Sequence, residues 1–182
     1  MKLVILDRDG VINYDSDAYV KSPEEWVPIP GSLEAISRLY REGYRLIVAS
    51  NQSGVARGLF DIDTLVKIQL KMVEAVRAKG GELEAVFFCP HGPDDGCRCR
   101  KPLPGLFEEI ADRLGTSLTG VYAIGDTERD IIAARAAQAR PVLVKTGKGR
   151  KTLARSKELA GVPVYDDLAG FADALLTGSL PA

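Results

Sequence analysis

The stretch that decides the fold is LVILDRDG, residues Leu3–Gly10. It joins four apolar residues, a run of strand length, to the acidic residues Asp7 and Asp9. A run that is apolar throughout is typical of a strand covered on both faces, as in a parallel sheet. Residues two apart on extended chain share a face, so we expect the two carboxylates to lie side by side. The stretch predicts a buried strand that ends in an acidic pair.

Short apolar runs like Leu3–Leu6 recur along the chain and alternate with segments of helical spacing. The further runs are Leu46–Ala49, Val86–Phe88, Val121–Ile124, Val142–Val144 and the weaker Val162–Tyr165. The helical segments are Ser32–Arg41, Thr64–Lys79, Pro104–Leu114, Glu128–Ala137 and Leu168–Leu176. The alternation predicts an α/β fold, with a Rossmann-like, doubly wound, mainly parallel sheet and helices on both faces.

Composition restricts the kind of protein. A chain of 182 residues with 46% hydrophobic residues suits one domain, which we expect to span residues 1–182. Basic and acidic residues are balanced, 24 against 25, so we expect no nucleic-acid partner. No apolar run approaches a membrane span or a signal-peptide core, which predicts a cytoplasmic protein with no membrane partner. We expect it to act as a monomer.

Acidic and polar residues follow other predicted strands as well. Gly125 and Asp126 follow the fourth strand, and Asp130 lies four residues after Asp126, at the start of a predicted helix. In a parallel sheet these strand ends meet at one edge, beside Asp7 and Asp9. Carboxylates so close together repel each other unless a cation lies between them, and an all-oxygen ligand set indicates Mg²⁺. The sequence therefore predicts a catalytic magnesium site.

The same edge carries the groups needed for phosphoryl transfer. An aspartate such as Asp7 can attack a phosphoryl group and form an aspartyl phosphate. Asp9 could protonate the leaving oxygen and later deprotonate the hydrolytic water. Ser50, which follows the second strand, and Lys101 could stabilise the phosphoryl oxygens. We therefore expect a phosphomonoesterase.

All three cysteines and the single histidine of the chain fall within eleven residues that end beside Arg100 and Lys101. Three thiolates and one imidazole form the Cys₃His set of a closed, tetrahedral structural zinc site. The predicted ligands are Cys89, His91, Cys97 and Cys99. A redox pair of Cys97 and Cys99, or reactive free thiols, are the alternatives. We expect a zinc-stapled loop that restrains Lys101 and Arg100.

The motifs LVILDRDGVIN, IVASNQSG, RKP and AIGDTERD, in this order, resemble those of the haloacid dehalogenase superfamily of phosphotransferases. The resemblance implies that Asp7 is the nucleophile and Asp9 the general acid and base. It also implies that Mg²⁺ is bound by the Asp7 carboxylate, the backbone carbonyl of Asp9 and the Asp126 carboxylate. Asp130 would assist through a water molecule or by positioning.

Within the superfamily, DRDGVIN, SNQSGVARG, the cysteine loop and CRKPLPG resemble the phosphatases of bacterial heptose bisphosphates. This implies removal of the C7 phosphate of a heptose 1,7-bisphosphate in the synthesis of nucleotide-activated heptose for lipopolysaccharide core. The implied substrate contacts are Asp15, Asp17, Tyr19, Ser50, Asn51, Gln52, Ser53, Arg100 and Lys101. Two alternatives are a histidinol-phosphate phosphatase and a non-enzymatic sugar-phosphate-binding module stapled by zinc.

Two further expectations concern loops. The segments before Pro23 and between Ser50 and Lys101 are too short for a large insertion, so we expect no separate cap domain. The basic segment Gly147–Lys151 could hold a distal phosphate, but it lacks the Walker A spacing, and we favour a solvated turn.

Overall fold

One parallel sheet forms the centre of the molecule. The computed structural model describes residues 2–180, and all element counts refer to that range. Its strands are β1 Leu3–Leu6, β2 Arg45–Asn51, β3 Ala85–Cys89, β4 Tyr122–Gly125, β5 Arg140–Val144 and β6 Val164–Tyr165. The order is β3-β2-β1-β4-β5-β6, with every pairing parallel. The chain reverses its direction of travel across the sheet at β1, which creates a crevice beyond the carboxyl ends of β1 and β4.

Helices cover both faces of this sheet, as the sequence predicted. They are α1 Ser32–Arg41, α2 Ile62–Ala78, α3 Gly105–Leu114, α4 Glu128–Ala136, α5 Gly149–Arg155 and α6 Leu168–Thr177. Val4 and Leu6 of β1 belong to a core shared with α1, α2 and α6. Leu3 and Ile5 belong to a second core that includes residues of α3 and α4. Because both faces of β1 are buried, this strand is apolar throughout.

The interpretation of Gly147–Lys151 as a solvated turn is correct only in part: residues 146–148 form a turn, and Gly147, Arg150 and Lys151 are exposed. Gly149 is buried and begins α5, and Lys148 lines a cavity at the sheet edge. The sequence of α5 has no buried apolar stripe, so hydrophobic spacing did not reveal it. Its position depends instead on contacts with β5 and with the end of β4, which only the folded chain shows.

Little regular structure covers the carboxyl edge of the sheet. Residues 7–31, which join β1 to α1, contain neither a helix nor a strand in the described chain. Between β2 and β3 the described residues contain α2. The crevice is therefore bordered by loops, in agreement with the expectation of no separate cap. No helix within residues 2–180 has the length and apolar character needed to cross a bilayer.

Candidate active site

Three carboxylates meet at the carboxyl edge of the sheet. Asp7 follows β1 and Asp126 follows β4, and these two strands pair in parallel register. Asp130 lies in the first turn of α4, where it forms a capping box with Thr127. One oxygen from each aspartate can be chosen so that all three lie within 4.8 Å of one another. The strand register and the start of α4 together build the acidic cluster predicted from the sequence.

Lys101 supplies the positive charge within this cluster. Its Nζ lies 3.0 Å from Asp7 Oδ1 and 2.5 Å from Asp130 Oδ1, and it donates a hydrogen bond to the Ala49 carbonyl at 2.9 Å. The Asn51 amide fixes the backbone of Lys101, because it accepts from Lys101 N and donates to Lys101 O, each at 3.0 Å. The ammonium is therefore held at both its backbone and its tip.

Burial and mutual repulsion control the protonation of the cluster. Burial raises the pKa of Asp7 to about 7, although Lys101 opposes the shift. Burial, followed by repulsion from Asp130 and Asp7, raises the pKa of Asp126 well above its usual value. Burial also acts to raise the pKa of Asp130, but the Lys101 ammonium and the hydrogen bonds from Thr127 together outweigh it, and the pKa is lowered. When all three carboxylates are ionised, their charge exceeds that of the single ammonium, and a divalent cation would balance the excess.

The residues present fit a hard divalent cation such as Mg²⁺. All candidate ligands are oxygens, and Asp7 Oδ1 is buried and faces the Lys101 ammonium at 3.0 Å. Backbone approaches Asp126 closely: a Cβ built on Gly10 or on Gly147 would lie 2.1 or 2.2 Å from Asp126 Oδ2. Both glycines have positive φ, so a side chain at either position would strain the backbone and displace the carboxylate.

Asp9 lies outside the carboxylate cluster. Arg8 donates to both of its oxygens, Asn13 Nδ2 donates to Oδ1 at 2.8 Å, and Gln52 Nε2 donates to Oδ2 at 2.9 Å. Burial acts to raise the pKa of Asp9, but Arg8 and these amide donors lower it overall. The strand ends at Leu6, so the two-residue alternation that predicted a shared face with Asp7 does not continue to Asp9.

A cavity of about 350 Å³ opens above these residues. It brings together every predicted catalytic, magnesium-binding and substrate-contacting residue. They are Asp7, Asp9, Asp15, Asp17, Tyr19, Ser50, Asn51, Gln52, Ser53, Arg100, Lys101, Asp126 and Asp130. Ser50 is buried there, and its hydroxyl accepts a hydrogen bond from Gln52 Nε2 at 2.9 Å.

Sequence reasoning missed several cationic residues of the same cavity. Arg8 is buried, whereas Arg57 and Arg129 are exposed at the rim and Lys148 is partly exposed. Arg57 follows the SNQSGVA segment and Arg129 lies in the GDTERD motif, so both were adjacent to recognised motifs. Lys148 carried a weaker signal, the basic segment after β5, which we had assigned to solvent.

The predicted zinc ligands also come together. Cys99 Sγ lies 3.1 Å from Cys89 Sγ and 3.3 Å from His91 Nδ1, and Cys89 Sγ lies 3.7 Å from Cys97 Sγ. All four ligand atoms lie within 4.8 Å of one another, and the three thiols form no disulfide. Atoms bound to one tetrahedral zinc at 2.0–2.3 Å have separations of about 3.3–3.8 Å. The His91–Cys99 and Cys89–Cys97 distances lie in this range, and the two sulfurs of Cys89 and Cys99 are closer. The donor set and its size suit zinc once those two sulfurs separate.

Comparisons with known proteins agree with this geometry. A family model described as HAD-hydrolase-like matches residues 98–171. The D-glycero-β-D-manno-heptose-1,7-bisphosphate 7-phosphatase of Bordetella bronchiseptica is 56% identical over 97% of this chain and 98% of its own. The enzyme of the same name from Pseudomonas aeruginosa is 51% identical over 96% and 97%. The chain belongs to this family of haloacid dehalogenase-like phosphatases.

Solved structures of the family extend the match to three dimensions. One match is the crystal structure of the Bordetella bronchiseptica D,D-heptose 1,7-bisphosphate phosphatase in complex with magnesium and phosphate. The TM-score is 0.96, and the match covers 98% of this chain and 99% of that one. The corresponding enzyme from Burkholderia thailandensis, 46% identical, gives a TM-score of 0.78 over 97% and 99%. The resemblance predicted from the sequence motifs is therefore confirmed.

Proposed function

We propose that the protein removes the C7 phosphate of D-glycero-D-manno-heptose 1,7-bisphosphate, in the synthesis of nucleotide-activated heptose for lipopolysaccharide core. The observation that carries the proposal is the placement of Asp7 at the end of β1, in a cavity with Asp126, Asp130 and Lys101. This is the arrangement that an aspartyl-phosphate mechanism needs. The relatives that match nearly the whole chain bear the name of this activity.

Asp7 would act as the nucleophile. One of its carboxylate oxygens forms a bond to phosphorus while the bond between phosphorus and the C7 oxygen breaks, giving an aspartyl phosphate and an alcohol. Lys101 and Ser50 stabilise the phosphoryl oxygens as charge moves onto them. When bound by Asp7, Asp126 and the Asp9 carbonyl, Mg²⁺ would supply charge neutralisation.

Asp9 would carry the proton in both steps. It protonates the departing C7 oxygen, and it then removes a proton from the water that attacks the aspartyl phosphate. The donors around Asp9 stabilise its ionised form, which is the form required for the second step. For the first step Asp9 must be protonated, so we propose that the side chain leaves Asn13 and Gln52 and turns toward the substrate.

The rim of the cavity suits a substrate with a second anionic group. Arg57, Arg100 and Arg129 come from three different segments and line one cavity. Among residues 2–180, no carboxylate pairs with Arg57 or Arg129. We propose that these guanidinium groups bind the C1 phosphate, since Arg matches phosphate geometry well.

The cysteine cluster would hold a structural zinc. Four protein ligands leave no open coordination position, so a direct catalytic role is not expected. The last ligand, Cys99, is separated from Lys101 by one residue, and Arg100 Nη1 donates to the His91 carbonyl at 3.3 Å. We propose that zinc fixes the backbone from which Arg100 and Lys101 project.

A substrate panel tests the function. The protein with Mg²⁺ is assayed for phosphate release from the heptose bisphosphate, histidinol phosphate and other sugar phosphates, with Asp7→Asn as the matched variant. We expect preferential turnover of the heptose bisphosphate and a loss of about 10³-fold or more in the variant, which retains substrate binding. Preference for histidinol phosphate would favour that alternative. Absence of turnover, with binding retained, would favour a binding module.

A further inference from the structure

Lys148 connects two parts of the cavity that are distant in sequence. Its backbone N–H donates to Asp126 Oδ2 at 2.7 Å. Its Nζ lies 2.9 Å from Asp15 Oδ2 and 3.4 Å from Asp17 Oδ1. One residue therefore contacts both the carboxylate cluster and the loop Asp15–Tyr19.

The backbone of Lys148 is well anchored. Thr146, two residues earlier, donates through Oγ1 to the Gly10 carbonyl at 2.6 Å. Thr152, in the following helix, donates through Oγ1 to the Asp126 carbonyl at 2.8 Å. The junction of β5 and α5 is thus fixed against the ends of both β1 and β4. The Lys148 side chain therefore projects from a backbone position that is fixed by hydrogen bonds.

The loop Asp15–Tyr19 is closed by a short turn, in which Tyr19 N donates to the Ser16 carbonyl at 2.9 Å and Ala18 N donates to Ser16 Oγ at 3.2 Å. It contains neither a helix nor a strand, and Asp17 has a side chain that is 96% exposed. Tyr19 has a φ of 66°, a left-handed conformation that costs a non-glycine residue about 1 kcal/mol or more. Asp15 joins the loop to Lys148, because its Oδ1 accepts from Ser16 N at 2.8 Å while its Oδ2 faces Nζ. The bonds within the turn shape the loop itself, and the contacts of Asp15 and Asp17 with Lys148 attach it to the Asp126 side of the cavity.

Lys148 differs from the arginines at the rim because two carboxylates already balance its charge. Its ammonium serves the loop and is not free to bind an anion. We propose that Lys148 is a positioning residue that holds the substrate-facing loop Asp15–Tyr19 against the Asp126 side of the cavity. It promotes substrate binding through the loop and leaves the chemical step nearly unchanged. The inference rests on the proposed function only for the choice of substrate.

Hydrogen exchange tests the restraint without any turnover. Amide exchange of residues 15–20 is compared in the wild type, Lys148→Met, Lys148→Arg and Lys145→Met, in buffer without Mg²⁺ or substrate. Lys145 is a matched control, because its Nζ pairs with Asp166 at 2.8 Å and it does not line the cavity. We expect about fivefold faster exchange in Lys148→Met and near wild-type exchange in the other two variants. Unchanged exchange in Lys148→Met would overturn the proposal.

Kinetics then separate a role through the loop from direct contact with substrate. We expect Lys148→Met to raise KM for the heptose bisphosphate about three- to tenfold, with kcat within about twofold, and Lys148→Arg to restore KM. Asp15→Asn should also raise KM, and the double variant should have a KM little higher than that of either single variant.

Two outcomes would contradict the proposal. A lower KM in Asp15→Asn would mean that the Lys148 ammonium, once freed from Asp15, binds substrate. A selective loss of kcat in Lys148→Met would mean that Lys148 takes part in the chemical step. Either result overturns the proposal. If Lys148→Met exchanges faster but the wild type does not turn over the heptose bisphosphate, only the proposed function is rejected.

Discussion

At the residue scale, Asp126 shows how burial and nearby charge make ionisation of a carboxyl group unfavourable in this site. Burial and two neighbouring carboxylates raise its pKa, so the folded protein favours its protonated form. Between the ordinary carboxyl pKa and this raised value, the folded state binds more protons than the unfolded state. The contribution of Asp126 to stability is therefore lost as pH rises through that window, until a cation replaces the proton. Without a metal, the ionised Asp126 carboxylate lowers the stability of the folded protein. With a metal bound, the same carboxylate contributes favourably.

We predict that Asp126→Asn is more stable than the wild type at pH 8 without Mg²⁺, by a few degrees in Tm, because a neutral amide removes the repulsion. At pH 5 the two proteins should melt within about one degree of each other. Added Mg²⁺ should raise the Tm of the wild type at pH 8 and leave the variant nearly unchanged. Thermal unfolding followed by circular dichroism, with zinc content verified, measures these differences.

Asp166→Asn is the control for this experiment. Its carboxylate is exposed and pairs with Lys145, which lowers its pKa. Replacing it should change Tm little, and in the destabilising direction, at pH 8. An Asp126→Asn protein less stable than the wild type at pH 8 without Mg²⁺ would contradict the repulsion on which the prediction rests.

At the element scale, the strands and most helices could be predicted because burial imposes a pattern on their sequences. The bounds of β1 and α1 were predicted to the residue, since an apolar run and a regular helical stripe define each. The short helix α5 was missed because a buried glycine and a threonine hydroxyl fix it, and neither has a characteristic spacing. Local patterns show how a segment is buried but not which distant group it contacts.

The candidate site likewise contains residues whose position could be predicted from the sequence and residues whose position could not. Asp7 and Asp126 could be placed beforehand, because strand ends in a parallel sheet must meet at one edge. The surroundings of Asp9 could not, since they depend on a turn after β1 and on the amide of Gln52, which follows β2. Arg57 and Lys148 were missed for a related reason. Where a long side chain ends depends on how the loops cross, and a single sequence does not reveal this.

The cysteine loop is the element whose order we expect to depend most on a bound ion. Cys89 ends β3, residues 90–100 contain neither helix nor strand, and Cys99 stands directly before Arg100 and Lys101. We predict that Cys97→Ser loses zinc and lowers kcat about 10- to 100-fold, because Lys101 is less well positioned. Metal analysis and phosphatase assays on the same preparation measure both effects.

Asp94→Asn provides a control within the same loop. Asp94 is exposed, lies between two of the cysteine ligands and belongs to neither metal cluster. The variant should keep both zinc and activity. Full activity in Cys97→Ser after verified loss of zinc would show that Lys101 needs no support from the loop, since Asn51 alone would then fix its backbone.

At the scale of the whole molecule, the cavity separates two kinds of cation. Lys101 and Arg8 are buried and paired with carboxylates that belong to the reacting end of the site. Arg57 and Arg129 lie at the exposed rim, on the loop after β2 and on the first turn of α4. The fold thus brings cations from opposite sides of β1 to one opening. On the proposed function, we expect this arrangement to recognise a substrate by the distance between its two phosphates.

This separation predicts how rim variants should behave. Arg57→Met or Arg129→Met should raise KM for the heptose 1,7-bisphosphate about tenfold, because a charge-assisted contact to the C1 phosphate is lost. The same variants should change KM for a heptose 7-monophosphate by less than about twofold, since that substrate has no second phosphate. Arg155→Met, which removes an exposed arginine outside the cavity, serves as the control. An equal rise in KM for both substrates would mean that these arginines contact the reacting phosphate or the sugar. The two esters differ only in the C1 phosphate, so a contact with that phosphate must affect the bisphosphate alone.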